Sequence, residues 1–112
     1  MKLLTKQIEK KLEKYPLYSQ EEVELKDHDV ICKFFNPYGA GTWLVFEGNK
    51  EANGDWTFFG SVNIFGEWEL GYFSLRELSS IRCKFCGVTV GGIERDTMFD
   101  KGVVKYAEFI ND

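Results

Sequence analysis

Apolar residues recur every four positions at the start of the chain, at Leu4, Ile8 and Leu12, with Tyr15 close behind. Thr5 stands where an N-cap is needed and Pro16 stops the stripe, so the pattern predicts a short amphipathic N-terminal helix. The period then changes. From about Val30 to Phe73, runs of β-branched and aromatic residues are cut at short intervals by turn residues, the pattern of an antiparallel meander. Val30–Asn36 reads as the first strand, ended by Asn36-Pro37-Tyr38-Gly39, and Thr42–Glu47 as the second. A polar connection closing on Asn53-Gly54-Asp55, a hairpin signal, leads into a third strand from about Asp55 to Ile64. Alternation along it puts Trp56, Phe58 and Val62 on one face and Thr57, Phe59, Ser61 and Asn63 on the other. Phe65-Gly66-Glu67 turns the chain into a fourth strand, Trp68–Phe73.

Outside the meander the pattern is less regular. The acidic stretch Ser19–Asp29 reads as a loop with an extended piece at Val23–Leu25. Ser74-Leu75-Arg76-Glu77 fits a capping box and predicts a short helix at 74–80. Residues 83–90 fit one irregular further strand broken by Gly91-Gly92, and Ile93–Phe99 fits either extended chain or a helical turn. Val103, Tyr106 and Ile110 have helical spacing and predict a C-terminal helix. The expected class is α+β, a four- to five-stranded aromatic-rich meander (about 30–73, plus the strand at 83–90) with short helices around it.

Composition sharpens this picture in three places. A chain of 112 residues with 44% hydrophobic and 29% charged residues fits one globular domain. Ten Phe, five Tyr and three Trp supply far more aromatic area than a sheet of this size ordinarily needs. No apolar run is long enough to span a membrane or form a signal peptide, and three cysteines leave one thiol over in any monomeric disulfide scheme, so a reducing cytoplasmic setting is expected. The net charge of −4 is unevenly laid out. Residues 1–15 are basic, whereas Glu21, Glu22, Glu24, Asp27 and Asp29, then Glu47, Glu51, Asp55, Glu67 and Glu69, are acidic. That distribution disfavours a grip on nucleic-acid phosphates.

Few residues carry candidate chemistry. Cys83-Lys84-Phe85-Cys86-Gly87 could offer two thiolates to zinc, but the remaining ligands would have to be His28 and Cys32, roughly 13 Å apart on a straight strand. Ordinary small apolar cysteines, or an adventitious disulfide, are the plainer reading. His28, between Asp27 and Asp29, reads as an exposed loop histidine rather than a general base. Glu94-Arg95-Asp96 combines an arginine with two carboxylates, either a ligand cluster or an intramolecular ion-pair set. No nucleophile motif, phosphate loop or cofactor signature is present. The aromatics interleaved with acids (Trp43, Trp56, Phe59, Trp68 and Tyr72, with Glu67 and Glu69) are candidates for protein contact wherever they exceed the needs of the core.

The strings Lys33-Phe34-Phe35-Asn36-Pro37, Gly54-Asp55-Trp56-Thr57-Phe58-Phe59-Gly60, Glu69-Leu70-Gly71-Tyr72-Phe73-Ser74-Leu75 and Ile93-Glu94-Arg95-Asp96 resemble a family of small bacterial domains of unknown function. Leu3-Leu4-Thr5-Lys6 and Leu17-Tyr18-Ser19-Gln20-Glu21 fit it too, while Cys83–Gly92 departs from its pattern. The resemblance implies carriage on plasmids, integrative elements and phages, and assigns no catalytic or ligand residue. The function expected is a non-enzymatic protein-binding accessory protein, such as an inhibitor of a host defence complex. The alternatives are a small enzyme or nucleotide-binding domain built on Glu94, Arg95 and Asp96, and a single-stranded nucleic-acid binder.

Overall fold

The computed structural model describes residues 2–99 and 102–110. Helix α1 (Lys6–Leu12) begins as its sequence requires, with Thr5 Oγ1 accepting a hydrogen bond from the Ile8 amide. The strands that follow are β1 (Asp29–Val30), β2 (Cys32–Phe35), β3 (Thr42–Lys50), β4 (Trp56–Asn63) and β5 (Glu69–Ser74). Helix α2 (Leu75–Ser80) opens on Ser74, whose Oγ accepts from the Glu77 amide. Strands β6 (Arg82–Phe85), β7 (Val88–Gly92), β8 (Glu94–Arg95) and β9 (Val104–Lys105) precede helix α3 (Ala107–Ile110). The class is the α+β expected, and every strand pairing is antiparallel.

The main sheet has five strands in the order β5-β4-β3-β2-β8. Four belong to the meander; the fifth is β8, not the 83–90 segment. Residues 82–92 instead form a separate β6–β7 hairpin turning at Cys86-Gly87, both with positive φ (53° and 81°), the geometry of a tight two-residue hairpin turn. Strands of four and five residues joined by so tight a turn pair with each other and not with the main sheet. The expected single strand Val30–Asn36 also divides. The chain shifts at Ile31, leaving β1 to pair with β9 while β2 pairs with β3. The acidic loop holds a short 3-10 turn at Leu25–Asp27, which takes Leu25 from the extended piece expected at Val23–Leu25, and Ile93–Phe99 is both extended (β8) and turned (Thr97–Phe99). The C-terminal helix is confined to α3 because β9 takes Val104 and Lys105.

Both faces of the sheet are covered. On one face Trp56, Phe58 and Val62 of β4 pack with Phe34, Trp43, Val45 and Phe73 beneath Ile8 and Leu12 of α1 and Leu78 of α2. On the other, Leu44 and Phe46 meet Val30 and Tyr106, flanked by Phe59, Trp68, Phe99, Phe109 and Ile110. The Tyr106 hydroxyl reaches the buried Ser61 Oγ at 2.7 Å. The alternation read for the third strand is therefore correct, and the Phe on its second face marks a second layer.

That second layer is held at the β1–β9 junction. The Asp29 carboxylate receives the Tyr15 hydroxyl at 2.9 Å and the Lys105 ammonium at 2.8 Å, and the Tyr106 amide donates to the His28 carbonyl. Burial alone would raise the Asp29 carboxyl, but these hydrogen bonds and the Lys105 charge hold it below its ordinary 3.8. A depressed carboxyl stabilises the fold above its unfolded value and stops doing so as pH falls through its folded value. Asp29→Asn should therefore be less stable than the parent chain at neutral pH. The difference should persist down to about pH 5 and shrink as pH falls below 4. Denaturant titrations of both chains from pH 7 to pH 3 check this.

Strand β3 carries an irregularity between Val45 and Glu47, where Val45 pairs with Gly60 and Glu47 with Phe59, leaving Phe46 without a partner across the ladder. Opposite it, a Cβ on Gly60 would lie 1.7 Å from the Leu44 carbonyl oxygen. Backbone cannot yield as a side chain can, so Gly60→Ala should cost at least about 2 kcal/mol in chemical denaturation.

Candidate functional site

The bulge decides which side chains meet on the second face. Phe46 packs among Leu44, Val30 and Tyr106, and the next residue, Glu47, pairs with Phe59 and turns to the same face. Glu47 is buried, and each of its oxygens is occupied: Oε1 accepts the Tyr18 amide and Oε2 the Gln20 amide, both at 2.8 Å. The neighbouring residues of β3 hold the same segment, Gly48 N–H donating to the Tyr15 carbonyl and Asn49 Oδ1 accepting the Leu17 amide. Buried Gln20 completes the attachment by donating to the Asp29 and Phe46 carbonyls and accepting the Asp29 amide. Residues 15–20 are thus fastened across β3 by backbone groups. Tyr18 is held at φ +73°, a conformation rare for a non-glycine residue, with its ring 63% exposed.

Beside this segment the sheet opens into a groove of about 330 Å³. Its floor is a cross-strand row, Glu47–Phe59–Tyr72, running over β3, β4 and β5, with Leu70 one row on. Phe59 and Tyr72 lie ring to ring at 5.0 Å. Tyr18, Glu21, Val23, Leu25 and His28 form the opposite wall. A hydrogen-bonding interaction with the Tyr18 side chain, partial desolvation and the negative charges of Glu47 and Glu21 raise the Tyr72 phenol above its ordinary 10.0. Tyr72 and Leu70 stay about half exposed. Among the described residues no lysine or arginine lines the groove.

His28 was expected on an exposed loop; it is 6% exposed. Its Nε2 donates to the Val23 carbonyl at 2.9 Å and its ring stands edge-on to Phe46 at 5.0 Å, because β1 draws residue 28 in against the second layer. Nδ1 is buried with no hydrogen-bond partner among the described residues. The histidine therefore closes the loop and packs, with its donor nitrogen already committed.

The structure sorts the other sequence candidates. Trp43 and Trp56 lie in the first core, 8% and 7% exposed, and drop out as surface rings because β3 and β4 turn them toward α1. Trp68 is half-buried, its ring near-perpendicular to Tyr106 and Phe109 at 6.2 Å from each. Glu67 and Glu69 flank a small depression with Val62, Ile64 and the fully protruding Phe65, away from the groove. Phe59 and Tyr72 alone of the aromatic candidates reach it.

Glu94, Arg95 and Asp96 stay together around a shallow cavity with Lys33 and Phe35, but they do not meet Tyr72 or Trp56. Strand pairing sets Glu94 opposite Phe35 and Arg95 opposite Phe34. The Arg95 guanidinium donates to the Lys2 and Leu3 carbonyls, and Asp96 pairs with Lys33 at 3.5 Å while accepting the Met98 amide. Arg95 and Asp96 thus tie chain segments together. Cys83, paired with Gly91 across the hairpin, is buried in the first core, and Cys86 sits exposed at the hairpin turn. No cluster of three or more metal-ligating side chains occurs among the described residues. None of the helices described is long and apolar enough to cross a membrane.

A family model described as "Protein of unknown function (DUF2958)" matches residues 3–111. The chain belongs to the DUF2958 family. No curated protein and no solved structure matches it. For this DUF2958 domain, Tyr18, Glu21, Leu70 and Glu47 escaped the sequence reading. The one signal for Glu47 was an acid ending the otherwise apolar run Trp43–Phe46.

The groove wall depends on the Glu47 carboxylate accepting two amides. In Glu47→Gln one of those acceptors becomes an NH₂ group facing an N–H. The variant should lose about 1–3 kcal/mol and become cleavable by protease within residues 15–23. Denaturation together with limited proteolysis checks both effects.

Proposed function

We propose that this chain is a non-enzymatic protein-binding domain whose contact surface is the groove and the open edge of β5. One observation carries the reading. Both oxygens of buried Glu47 and the Nε2 of His28 are committed to backbone partners and the unpartnered His28 Nδ1 is sealed from solvent, whereas Tyr18, Leu70 and Tyr72 stand exposed around the groove. A catalytic site needs polar groups free to act on a substrate; a docking site needs apolar area free to be covered. β5 lies at the end of the sheet and its exposed middle carries no charge, so a partner strand could pair along it.

The acids of the groove favour a protein over a phosphate backbone, which would have to approach Glu21 and Glu47 with no lysine or arginine among the described lining residues to receive it. The setting implied by the sequence resemblance is a plasmid, integrative element or phage, which makes the partner a host protein and inhibition of a host defence complex the role. The second reading, a ligand site at Glu94, Arg95 and Asp96, has less behind it because Arg95 and Asp96 hold the chain together.

A photo-crosslinking amino acid placed at Tyr72 and expressed in the host should capture one polypeptide in stoichiometric yield. The same probe at exposed Val88, on the β6–β7 hairpin, should capture none. Equal labelling from both positions, or none from Tyr72, would remove the docking surface.

A further inference from the structure

The groove is more specific than an apolar patch. Three aromatic rings, Tyr18, Phe59 and Tyr72, surround it, and Phe59 and Tyr72 lie 5.0 Å apart. Two carboxylates line it, Glu47 in the floor and Glu21 in the wall, and among the described residues no lysine or arginine does. Aromatic faces carry negative charge density, and a cation over them gains further when it leaves water near an anion. The Glu47 oxygens are held by the Tyr18 and Gln20 amides, so the carboxylate cannot rotate out to meet its own ammonium or guanidinium groups elsewhere on the chain. Its charge is fixed behind the rings. A volume of about 330 Å³ accommodates a long side chain rather than a whole cofactor.

From this charge complementarity we infer that the groove is a cation pocket, and that its occupant is a lysine or arginine side chain presented by the protein partner. This rests on the docking reading above and narrows it. Leu70, one row from Phe59 and Tyr72, lies along the aliphatic stem of the incoming side chain while the rings and carboxylates take its charged head. A partner offering an acidic or aliphatic side chain at this position would leave Glu21 and Glu47 uncompensated.

Chemical-shift titration of the isotope-labelled full chain tests the assignment without the partner. The probes are the N-acetyl, N-methylamide derivatives of lysine, arginine, norleucine and glutamate. The lysine and arginine derivatives should move the resonances of Tyr18, Phe59, Leu70 and Tyr72 with saturable, millimolar binding, and the norleucine and glutamate derivatives should not. Tyr72→Leu and Glu21→Gln, both at exposed positions, should each weaken that binding by roughly tenfold while leaving the unfolding midpoint in place. Equal response to norleucine, or shifts that ignore both substitutions, would overturn the cation pocket. If Tyr72 cross-links a host protein but the cationic probes leave the groove unmoved, the docking reading stands and the cation assignment falls. If the cationic probes bind but no protein is captured, the pocket's chemistry is upheld and its protein partner is what falls.

Discussion

The attachment of residues 15–20 to the bulged half of β3 is the constraint on which the rest of the second face depends. An extra residue at Phe46 lets two successive side chains, Phe46 and Glu47, serve one face. Phe46 becomes the centre of the second core, in edge contact with Phe59, Tyr106 and His28. Glu47 becomes the acceptor that fixes the loop. Without the bulge Glu47 would point into the first core, where a carboxylate among Phe58, Val45 and Trp56 would have no partner. The close approach at Gly60 is the geometric counterpart: the bulged strand comes so near that only a hydrogen fits.

From that constraint the two layers follow. The C-terminal segment, anchored at Asp29 and Ser61, covers Leu44, Phe46 and part of Trp68. The 15–28 segment, anchored at Glu47 and Gln20, covers the sheet from the other side. Neither reaches Leu70 and Tyr72 fully, so the groove is the gap between two covers that are each pinned some way from it. The open ring faces result from where the anchors lie, not from loose packing.

How much of this was legible follows from the range of the interactions involved. The helix starts at Thr5 and Ser74, the turn at Asn53-Gly54-Asp55 and the two faces of β4 are local or period-two features, and they were read from the residues. Of the five aromatic candidates, Phe59 and Trp68 lie partly buried in the second layer, whereas Trp43 and Trp56 lie in the first core. What escaped depends on contacts distant in sequence. β8 joins the sheet beside β2 across some sixty residues, and β1 pairs with β9 across still more. The burial of His28 needs Phe46 and the C-terminal segment, which nothing adjacent to Asp27 and Asp29 announces. The single strand expected at 83–90 failed for a local reason: Cys86-Gly87 is a hairpin turn, where Gly87 supplies a positive φ, and it divides the segment into β6 and β7.

The edge strand gives the strongest argument that the gap is kept for a purpose. Natural sheets blunt their edges with charges, prolines or covering segments, because unpaired N–H and C=O groups recruit other strands. From Leu70 to Phe73, β5 has no charge and no proline, and the backbone hydrogen bonds described there run only to β4. Covering it would have been inexpensive in structural terms, since α2 follows directly and packs against β4 and β5. Yet Ser74 caps that helix at once, and Leu78 turns to the first face, leaving the second face bare where Tyr72 and Leu70 lie. On the proposed docking reading, an uncovered edge beside an aromatic groove with fixed carboxylates behind it would give a partner both a backbone to pair with and a pocket to distinguish its side chain. The backbone pairing would supply area, and the pocket would supply selectivity for charge.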